Sequence, residues 1–388
     1  MTLDVRPLAE SDLDEAWALG LTAFGGEPGT PRRDAPHRQQ WGAFEGGRLL
    51  GKASLLRYAQ WFGGRPVPMA GVAGVAVRPE ARGRGVSRAL VRALAASAVA
   101  QGLPVSALFP TAPGVYRGLG WEVVGSLDET RLAVSDLARL PPVPGVRLRP
   151  AGEADGPALQ ELWNDAASAG NGQLTRTGPL FAGGAAAEAL EAEVVTLAEV
   201  GTAAVGYLSY DRGRGYGPDS ALRVWEMVAR TDLAARALLG TLGAWDTVVG
   251  GVHWRGDTGD LALLLDRVVP RPYETRPWSL RLLDPDAAVA ARGWSADAEA
   301  AFVLLDPEAA GTGGQPERAV RLVVRGGDGR LEPADPAGLP RLHVRGLAVL
   351  FAGGASTVRL QRTGLLDGPL PALDAAFAGP APVLLDYF

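Results

Sequence analysis

The 388-residue sequence contains no cysteine, which excludes disulfide bonds, thiolate nucleophiles and cysteine-ligated metal sites. Its three histidines, His37, His253 and His343, are too far apart in the chain for a typical metal site, so we predict no metal cofactor. Lysine occurs once, as Lys52. No run approaches the roughly 18 apolar residues of a membrane span, and the N-terminus lacks the apolar core of a secretion signal. We therefore expect a cytoplasmic protein without a membrane span.

The chain also lacks an excess of positive charge. It has 38 basic and 43 acidic residues, a net charge of -5, so we predict that no nucleic acid is a partner. Hydrophobic residues make up 47% and charged residues 21%, a composition typical of globular proteins rather than disordered ones. A chain of this length suits two or three domains.

The sequence contains an internal repeat. "VRPLAESD" at residues 5–12 returns as "LRPAGEAD" at residues 148–155, and each copy reads as a short strand followed by a helix. The proline-rich "LARLPPVPG" before the second copy indicates a linker. After "PRPYETRPWSLRLLDP" the pattern changes to short alternating strands separated by turns such as "GGDGR". We predict three domains, at residues 1–143, 144–282 and 283–388, the last of α+β type.

The stretch "VAGVAVRPEARGRGVSRALVRALA", from Val72, places a buried strand before a glycine-rich turn and a long helix. The positive end of the helix dipole repels Arg82 and Arg84, so their presence there predicts a bound anion. The first amides of the helix are unpaired, and Gly83 and Gly85 allow a ligand to approach the backbone closely. The segment therefore predicts a diphosphate site.

Other nucleotide motifs do not fit this stretch. A P-loop requires a lysine, which is absent, and a dinucleotide fingerprint requires three glycines at a different spacing. Arg88 and Arg92 continue the series at four-residue spacing, and we interpret them as a solvated helix face.

The later stretch "VWEMVARTDLAARALLGTL", from Val224, repeats the strand and the helix but lacks the "RGRG" turn. We predict that the first copy binds the cofactor and that the second copy is structural.

The pattern from Arg82 to Ser87 resembles the acetyl-coenzyme A motif of GNAT-type N-acetyltransferases, in which the position of Ser87 usually carries Gly or Ala. The resemblance implies acetyl-CoA as co-substrate, with the diphosphate on the turn and the pantetheine arm along the strand. The cofactor-binding residues that it implies are Val75, Ala76, Val77, Arg82, Gly83, Arg84, Gly85, Val86 and Ser87.

The whole chain resembles the enhanced-intracellular-survival (Eis) family of acetyltransferases. That family has an active GNAT domain, a degenerate GNAT domain and a domain similar to sterol carrier proteins, which implies an α/β fold with tandem GNAT domains before an α+β domain. The resemblance rests on the degenerate repeat, on Tyr116 before "RGLGW", and on the final "LLDYF". It implies Tyr116 and the carboxylate of Phe388 as catalytic groups and a homo-oligomer, a hexamer.

Two functions remain open from the sequence. The first is acetyl transfer from acetyl-CoA to a primary amine of an aminoglycoside, a polyamine-like molecule or a peptide lysine. Tyr116 would protonate the departing thiolate, since the reference pKa of tyrosine is about 10 and that of a thiol about 8.5. The second is binding of an acyl-CoA or a lipid with little catalysis, which would require neither Tyr116 nor Phe388.

Overall fold

A computed structural model of the chain describes residues 3–25 and 37–388. The chain divides into two units by its internal contacts. Unit 1 contains Met1–Val124, Trp278–Pro382 and Phe388, and unit 2 contains Gly125–Pro277 and Val383–Tyr387. Unit 1 thus combines segments from the two ends of the sequence.

The described residues form both strands and helices, and several strands follow one another directly as hairpins. The strands are β1 Asp4–Pro7, β2 Arg38–Glu45, β3 Arg48–Phe62, β4 Arg65–Val77, β5 Val105–Leu108, β6 Glu122–Ala133, β7 Arg147–Pro150, β8 Val194–Val200, β9 Ala203–Asp211, β10 Gly217–Ala229, β11 Val249–Arg255, β12 Pro272–Leu282, β13 Ala298–Leu305, β14 Glu317–Arg325, β15 Asp328–Pro333, β16 Arg341–His343 and β17 Leu366–Asp367. The α-helices are α1 Leu13–Phe24, α2 Val86–Ala100, α3 Pro113–Arg117, α4 Val134–Leu137, α5 Gly156–Ala169, α6 Gly184–Leu190, α7 Asp232–Gly243, α8 Gly259–Leu264, α9 Pro285–Ala291, α10 Val344–Ala352, α11 Thr357–Arg362 and α12 Ala372–Ala376.

The first sheet of unit 1 is built around a long hairpin of β3 and β4. β1, β2, β3 and β4 are antiparallel neighbours, β5 then pairs in parallel with β4, and β12 pairs antiparallel with β5. Helix α2 packs on β3 and β4 because its apolar residues recur at helical spacing. Its buried residues are Val86, Leu90, Val91, Leu94, Ala95 and Ala98.

The second sheet of unit 1 is formed by the strands after residue 297, in the order β15, β14, β13, β16 and β17. Most neighbours are antiparallel, and β13 and β16 are parallel. The helix α10 contributes a strongly apolar side to this part of the fold, in which Leu347 and Phe351 are buried. The α+β character predicted for the C-terminal domain is present.

Unit 2 repeats the first arrangement. β7, β8, β9 and β10 are antiparallel neighbours, β11 pairs in parallel with β10, and β6 pairs antiparallel with β11. The helix α7 packs against β8, β9 and β10, in the topological position that α2 has in unit 1.

The residues shared by the two sequence repeats make the same bonds in each unit. Arg6 donates to Asp12 at 2.7 Å, and Asp12 accepts from the amide of Ala9 at 2.7 Å. In the second copy Arg149 donates to Asp155 at 2.8 Å, and Asp155 accepts from the amide of Gly152 at 2.9 Å. The arginine bonds lower the pKa of both aspartates, that of Asp155 to about 2. The repeated letters therefore encode a repeated strand-to-helix turn.

In the part of the chain that the structure describes, three hairpins turn through paired glycines with positive φ at both positions, the geometry that matches the twist of a two-residue hairpin. The turn between β3 and β4 has Gly63 at φ 59°, and that between β2 and β3 has Gly46 at φ 56°. A Cβ on Gly63 would lie 2.0 Å from the carbonyl oxygen of Gly293, whereas a Cβ on Gly46 would meet nothing within 4 Å.

This difference provides a matched pair of variants. We expect Gly46→Ala to lower the free energy of unfolding by about 1 kcal/mol, the cost of a left-handed alanine. Gly63→Ala has the same backbone cost and must also displace the backbone at Gly293, so its loss should be clearly larger. Thermal and denaturant unfolding of the two variants measure this, and equal losses would show that the contact with Gly293 yields without strain.

Candidate active site

The turn before α2 has the geometry of an anion site. Gly83 and Gly85 have φ values of 75° and 80°, and a Cβ on either would meet nothing within 4 Å, so glycine is needed here for its backbone conformation. Gly85 is the N-cap of α2, and within the described residues the first amides of the helix donate no hydrogen bond to an N-cap side chain, which glycine lacks. These amides point toward any ligand placed at the helix N-terminus.

A cavity of about 500 Å³ opens at this turn. Its lining combines the end of α1, the end of β4, the turn before α2 and the segment that contains α3. The residues that line it are Ala23, Phe24, Val75, Ala76, Val77, Ala81, Arg82, Gly83, Gly85, Val86, Ser87, Thr111, Ala112, Val115 and Tyr116.

The separation of β4 from β5 creates room for this cavity. The two strands pair only at residues 69–71 and 105–107, after which β4 continues to Val77 while β5 ends at Leu108. A bulge interrupts the pairing of β4 with β3 between Ala73 and Ala76, and Gly74 within it has φ 57°. The backbone groups of residues 75–77 that face away from β3 therefore have no β5 partner and are available to a ligand.

Tyr116 follows β5 in the chain and lines the same cavity as residues 75–77. It belongs to the one-turn helix α3, where it is 7% exposed. Burial raises the pKa of its phenol. Its carbonyl accepts from the amides of Leu119 and Trp121, which fixes the turn that follows.

Two arginines from outside this turn hold it in place. The buried guanidinium of Arg281, on β12, donates to the carbonyl of Leu119 and pairs with Asp306 at 3.3 Å. Arg88, on α2, donates to the carbonyl of Gly118 at 3.3 Å. Burial lowers the pKa of Arg281, while Asp306 opposes this shift. The turn beside Tyr116 is thus held by side chains from two other segments of unit 1.

Arg88 and Arg92 are more than a solvated helix face. Glu308 accepts two hydrogen bonds from Arg92, at 2.7 and 2.8 Å, and lies 3.7 Å from Arg88. The bonds from Arg92 lower the pKa of Glu308. Because Glu308 follows Asp306 by two residues, one short segment contacts both Arg281 and α2.

The predicted cofactor residues fall into two groups. Residues 75–77, Arg82, Gly83 and residues 85–87 all line the cavity. Arg84 instead donates to both carboxylate oxygens of Glu45, at 2.7 and 2.9 Å. This pair is partly exposed, a setting in which an ion pair contributes little and can be exchanged for a ligand.

Phe388 lies at the point where β4 and β5 separate. Its ring is 5.1 Å from that of Tyr58 and 5.7 Å from that of Phe109, between centroids. A Cβ on Gly71 would lie 2.9 Å from the Phe388 ring, so glycine leaves room for it. Among the described residues, the lining of the cavity includes Tyr116 but not Phe388.

In the second repeat the N-terminus of the corresponding helix, α7, is capped by a side chain. The side chain of Thr231 caps α7 by accepting from the amide of Ala234 at 3.1 Å. In α2 the equivalent amides have no such acceptor. A helix N-terminus that is already capped by its own chain is a poor anion site.

Sequence reasoning missed several lining residues. Phe24, at the end of α1, is 56% exposed beside the cavity, and Thr111 reaches it from the segment before α3. Neither belongs to a motif. Only the tertiary fold brings them to the cavity.

Comparison with known proteins places this geometry in a family. Two models of the acetyltransferase (GNAT) domain match residues 4–124 and 172–282, and a sterol carrier protein domain matches residues 285–385. No curated protein sequence matches the chain significantly. The predicted order of two GNAT domains and a sterol-carrier-like domain is confirmed, and the predicted boundaries at residues 143 and 282 stay predictions.

Solved structures resemble the whole chain. A GCN5-related N-acetyltransferase from Kribbella flavida is 33% identical with a TM-score of 0.83, over 100% of this chain and 98% of that one. One from Anabaena variabilis ATCC 29413 is 22% identical with a TM-score of 0.86, over 100% of both chains. Eis1 from Mycobacterium abscessus is 24% identical with a TM-score of 0.74, also over 100% of both chains, a similarity of fold.

On the strength of this full-length similarity, the chain belongs to the GCN5-related N-acetyltransferase family, and it is an acetyltransferase. GNAT domains use acetyl-CoA as co-substrate. None of the helices within residues 3–25 and 37–388 has both the length and the apolar character needed to cross a bilayer.

Mutation can distinguish an arginine that lines the cavity from arginines that pair with a carboxylate. We expect Arg82→Ala to raise the KM for acetyl-CoA about tenfold or more, because a hydrogen bond to a charged group contributes about 1.5 to 3 kcal/mol. Arg92→Ala is the matched control, since Arg92 pairs with Glu308 and does not line the cavity. Arg84→Ala should fall between the two, because the arginine must leave Glu45 to reach a phosphate. An unchanged KM in Arg82→Ala would contradict the diphosphate site.

Proposed function

We propose that the protein transfers the acetyl group of acetyl-CoA to a primary amine by direct attack, in the first GNAT domain. The observation that carries this proposal is the single cavity that joins the free strand end at residues 75–77, the turn at residues 82–87 and Tyr116. Acceptors that fit are an aminoglycoside, a polyamine-like molecule or a peptide lysine.

Two regions of the backbone would bind different parts of acetyl-CoA. The amides at the start of α2 and the side chain of Arg82 would hold the diphosphate, with Ser87 beside it. Residues 75–77 would hydrogen-bond the pantetheine arm, and an amide there would polarise the thioester carbonyl as an oxyanion-hole donor does.

Tyr116 would serve as the general acid. Its raised pKa keeps the proton on the phenol throughout the neutral range, so the acid form is available when the thiolate departs. The turn that carries Tyr116 is held by Arg281 and Arg88, which limits the freedom of the phenol.

Phe388 would act at the amine. A free α-carboxyl has a reference pKa of about 3.5, so taking a proton from an alkylammonium of pKa about 10 would cost roughly 9 kcal/mol. We therefore propose that, in a chain ending at Phe388, the carboxylate anchors the ammonium group, and that it accepts the proton through water only from an amine whose own pKa lies well below 10, because a water bridge does not reduce this cost. Amines whose pKa is lowered by polar neighbours would be the better acceptors.

Membership of an enzyme family does not favour the alternative of an acyl-CoA or lipid carrier. A cleft of about 860 Å³ in the C-terminal domain is lined in part by carboxylates, including Asp284, Asp286 and Glu317. Such a lining does not suit a purely apolar ligand.

From the family resemblance alone we further propose a hexamer acting in the cytoplasm. Light scattering on the 40.3 kDa chain and cell fractionation would test these.

A panel of amines tests the proposed function. Free coenzyme A released from acetyl-CoA is measured with a thiol reagent in the presence of an aminoglycoside, a polyamine, a lysine peptide or no amine. We expect amine-dependent thiol release and an acetylated product by mass spectrometry. Cofactor binding without turnover across all three classes would instead support the carrier.

The phenol of Tyr116 has its own test. We expect Tyr116→Phe to lower kcat by about 10²- to 10⁴-fold, the range for loss of a general acid, with little change in the KM for acetyl-CoA. Because burial raises the pKa of Tyr116 above its ordinary value near 10, the midpoint of any fall in the wild-type kcat from loss of this acid should lie above pH 10. Tyr216→Phe, at a tyrosine that is 88% exposed, is the control. Equal kcat values for the Tyr116 variant and the wild type would remove the phenol from the mechanism.

The chain end gives a further prediction. Residues appended after Phe388 should lower kcat by about 10²-fold while the affinity for acetyl-CoA is retained. Deletion of Phe388 is a weaker test, since it leaves a carboxylate on Tyr387 displaced by about 3.5 Å. The same residues appended at the N-terminus serve as the control. Full turnover with the C-terminal extension would contradict a catalytic role of the Phe388 carboxylate, and the residue would then serve only to pack against Tyr58 and Phe109.

A further inference from the structure

Unit 2 contains a polar pocket of its own. It has a volume of about 250 Å³, and all of its lining residues belong to unit 2. The lining includes five carboxylates and two guanidinium groups, so negative charge is in excess by three. The charged groups of the lining are those of Glu188, Glu191, Asp211, Glu226, Asp386, Arg176 and Arg255.

One part of this pocket is a closed ion-pair network. Arg176 donates to Glu226 at 2.7 Å and to Asp386 at 3.0 Å, and its guanidinium lies 3.6 Å from the ring centroid of Trp163. Tyr207 donates to the second oxygen of Glu226 at 2.7 Å. Burial opposes the charge of Arg176, but the two carboxylates outweigh it and raise its pKa. Arg176 and Glu226 are thus already paired with each other.

A second part of the pocket has acceptors without partners. The Oδ2 atom of Asp386 and the Oγ atom of Ser209 are buried and make no hydrogen bond to any residue that the structure describes, and Ser209 is only 1% exposed. Leaving a buried polar atom unpaired is costly. A carboxylate oxygen can only accept, so the ligand that satisfies Asp386 is a hydrogen-bond donor.

The carboxylates around these two atoms favour a cation. Burial raises the pKa of Glu188, and the charges of Glu191 and Asp386 add to the rise against the influence of Arg176. A positive ligand relieves this crowding of like charges. Within the described residues no group of three or more His, Asp or Glu side chains could hold a metal ion, which favours an organic cation.

We propose that this pocket binds a small organic ammonium ion, with its N–H groups on Asp386 Oδ2, Ser209 Oγ and the Glu188 carboxylate. The site is separate from the cavity that holds Tyr116, and it does not depend on the proposed function. Asp386 belongs to the segment Val383–Tyr387. Leu385 in this segment accepts a hydrogen bond from Arg255 through its carbonyl and donates one to Gln173 through its amide. A bound ammonium ion therefore stabilises that segment.

Calorimetric titration of the full chain with n-propylammonium chloride tests the proposal. We expect saturable binding to the wild type, at least fivefold weaker binding to Ser209→Ala, and tenfold or more weaker binding to Glu188→Gln. Trimethylpropylammonium, which has the same charge and no N–H donor, should bind more weakly than propylammonium. Ser168→Ala and Glu153→Gln change a half-buried and an exposed residue of the same unit, neither of which lines the pocket, and should bind as the wild type does.

Two further measurements distinguish failure of the ammonium site from failure of the catalytic mechanism and from misfolding of a variant. Tyr116→Phe must bind propylammonium at this pocket unchanged, so failure of the proposed catalytic mechanism leaves this test intact. Ser209→Ala removes an unpartnered buried hydroxyl and should not lower the unfolding temperature, while propylammonium should raise that temperature only where the pocket is intact. No saturable binding, or equal binding to Glu188→Gln, Ser209→Ala and the wild type, would overturn the proposal.

Discussion

The separation of β4 from β5 after Gly71 is the constraint on which the candidate active site depends. Paired strands satisfy each other's backbone groups, so a fork leaves a row of amides and carbonyls that require a ligand. The same fork leaves space for the ring of Phe388 at its vertex and separates residues 75–77 from Tyr116 by the width of a cavity. The glycine turn before α2 then extends this ligand surface with the amides of a helix N-terminus.

The C-terminal part of unit 1 contributes to the geometry of this site through one short segment. Asp306 pairs with Arg281, which holds the turn beside Tyr116, and Glu308 pairs with Arg92 of the helix that begins at the glycine turn. Residues about 190 positions after Tyr116 in the sequence thus restrain both of its neighbouring elements. Removal of one partner of a buried ion pair strongly destabilises a protein, so the pair of Arg281 and Asp306, in which both side chains are buried, is an integral part of the fold. Arg92 is about half exposed, and its pair with Glu308 is the weaker restraint.

Local patterns were sufficient to predict β4, α2 and the repeat, because each depends on periodicity, glycine positions and matching letters within a short window. The order of the domains was implied by the resemblance of the whole chain to a known family. The repeat also identified the second copy as the one without an anion turn, and Thr231 supplies a physical reason in its capping bond. Other features arise from tertiary contacts between distant residues. These are the pairing of Arg84 with Glu45, the position of Phe24 beside the cavity and the hydrogen bond from Arg281 to the carbonyl of Leu119. No pattern in a single sequence encodes which distant carboxylate an arginine will meet.

The use of arginine at almost every basic position suits a protein that handles an activated acyl group. Acetyl thioesters acylate lysine amines and thereby remove their charge, whereas the guanidinium of arginine stays protonated and is a poor nucleophile at neutral pH. Lys52 is the single ε-amine of the chain, and the pairs Arg281–Asp306, Arg176–Glu226 and Arg92–Glu308 contain none. The charge network of this enzyme is therefore resistant to covalent damage by its own co-substrate.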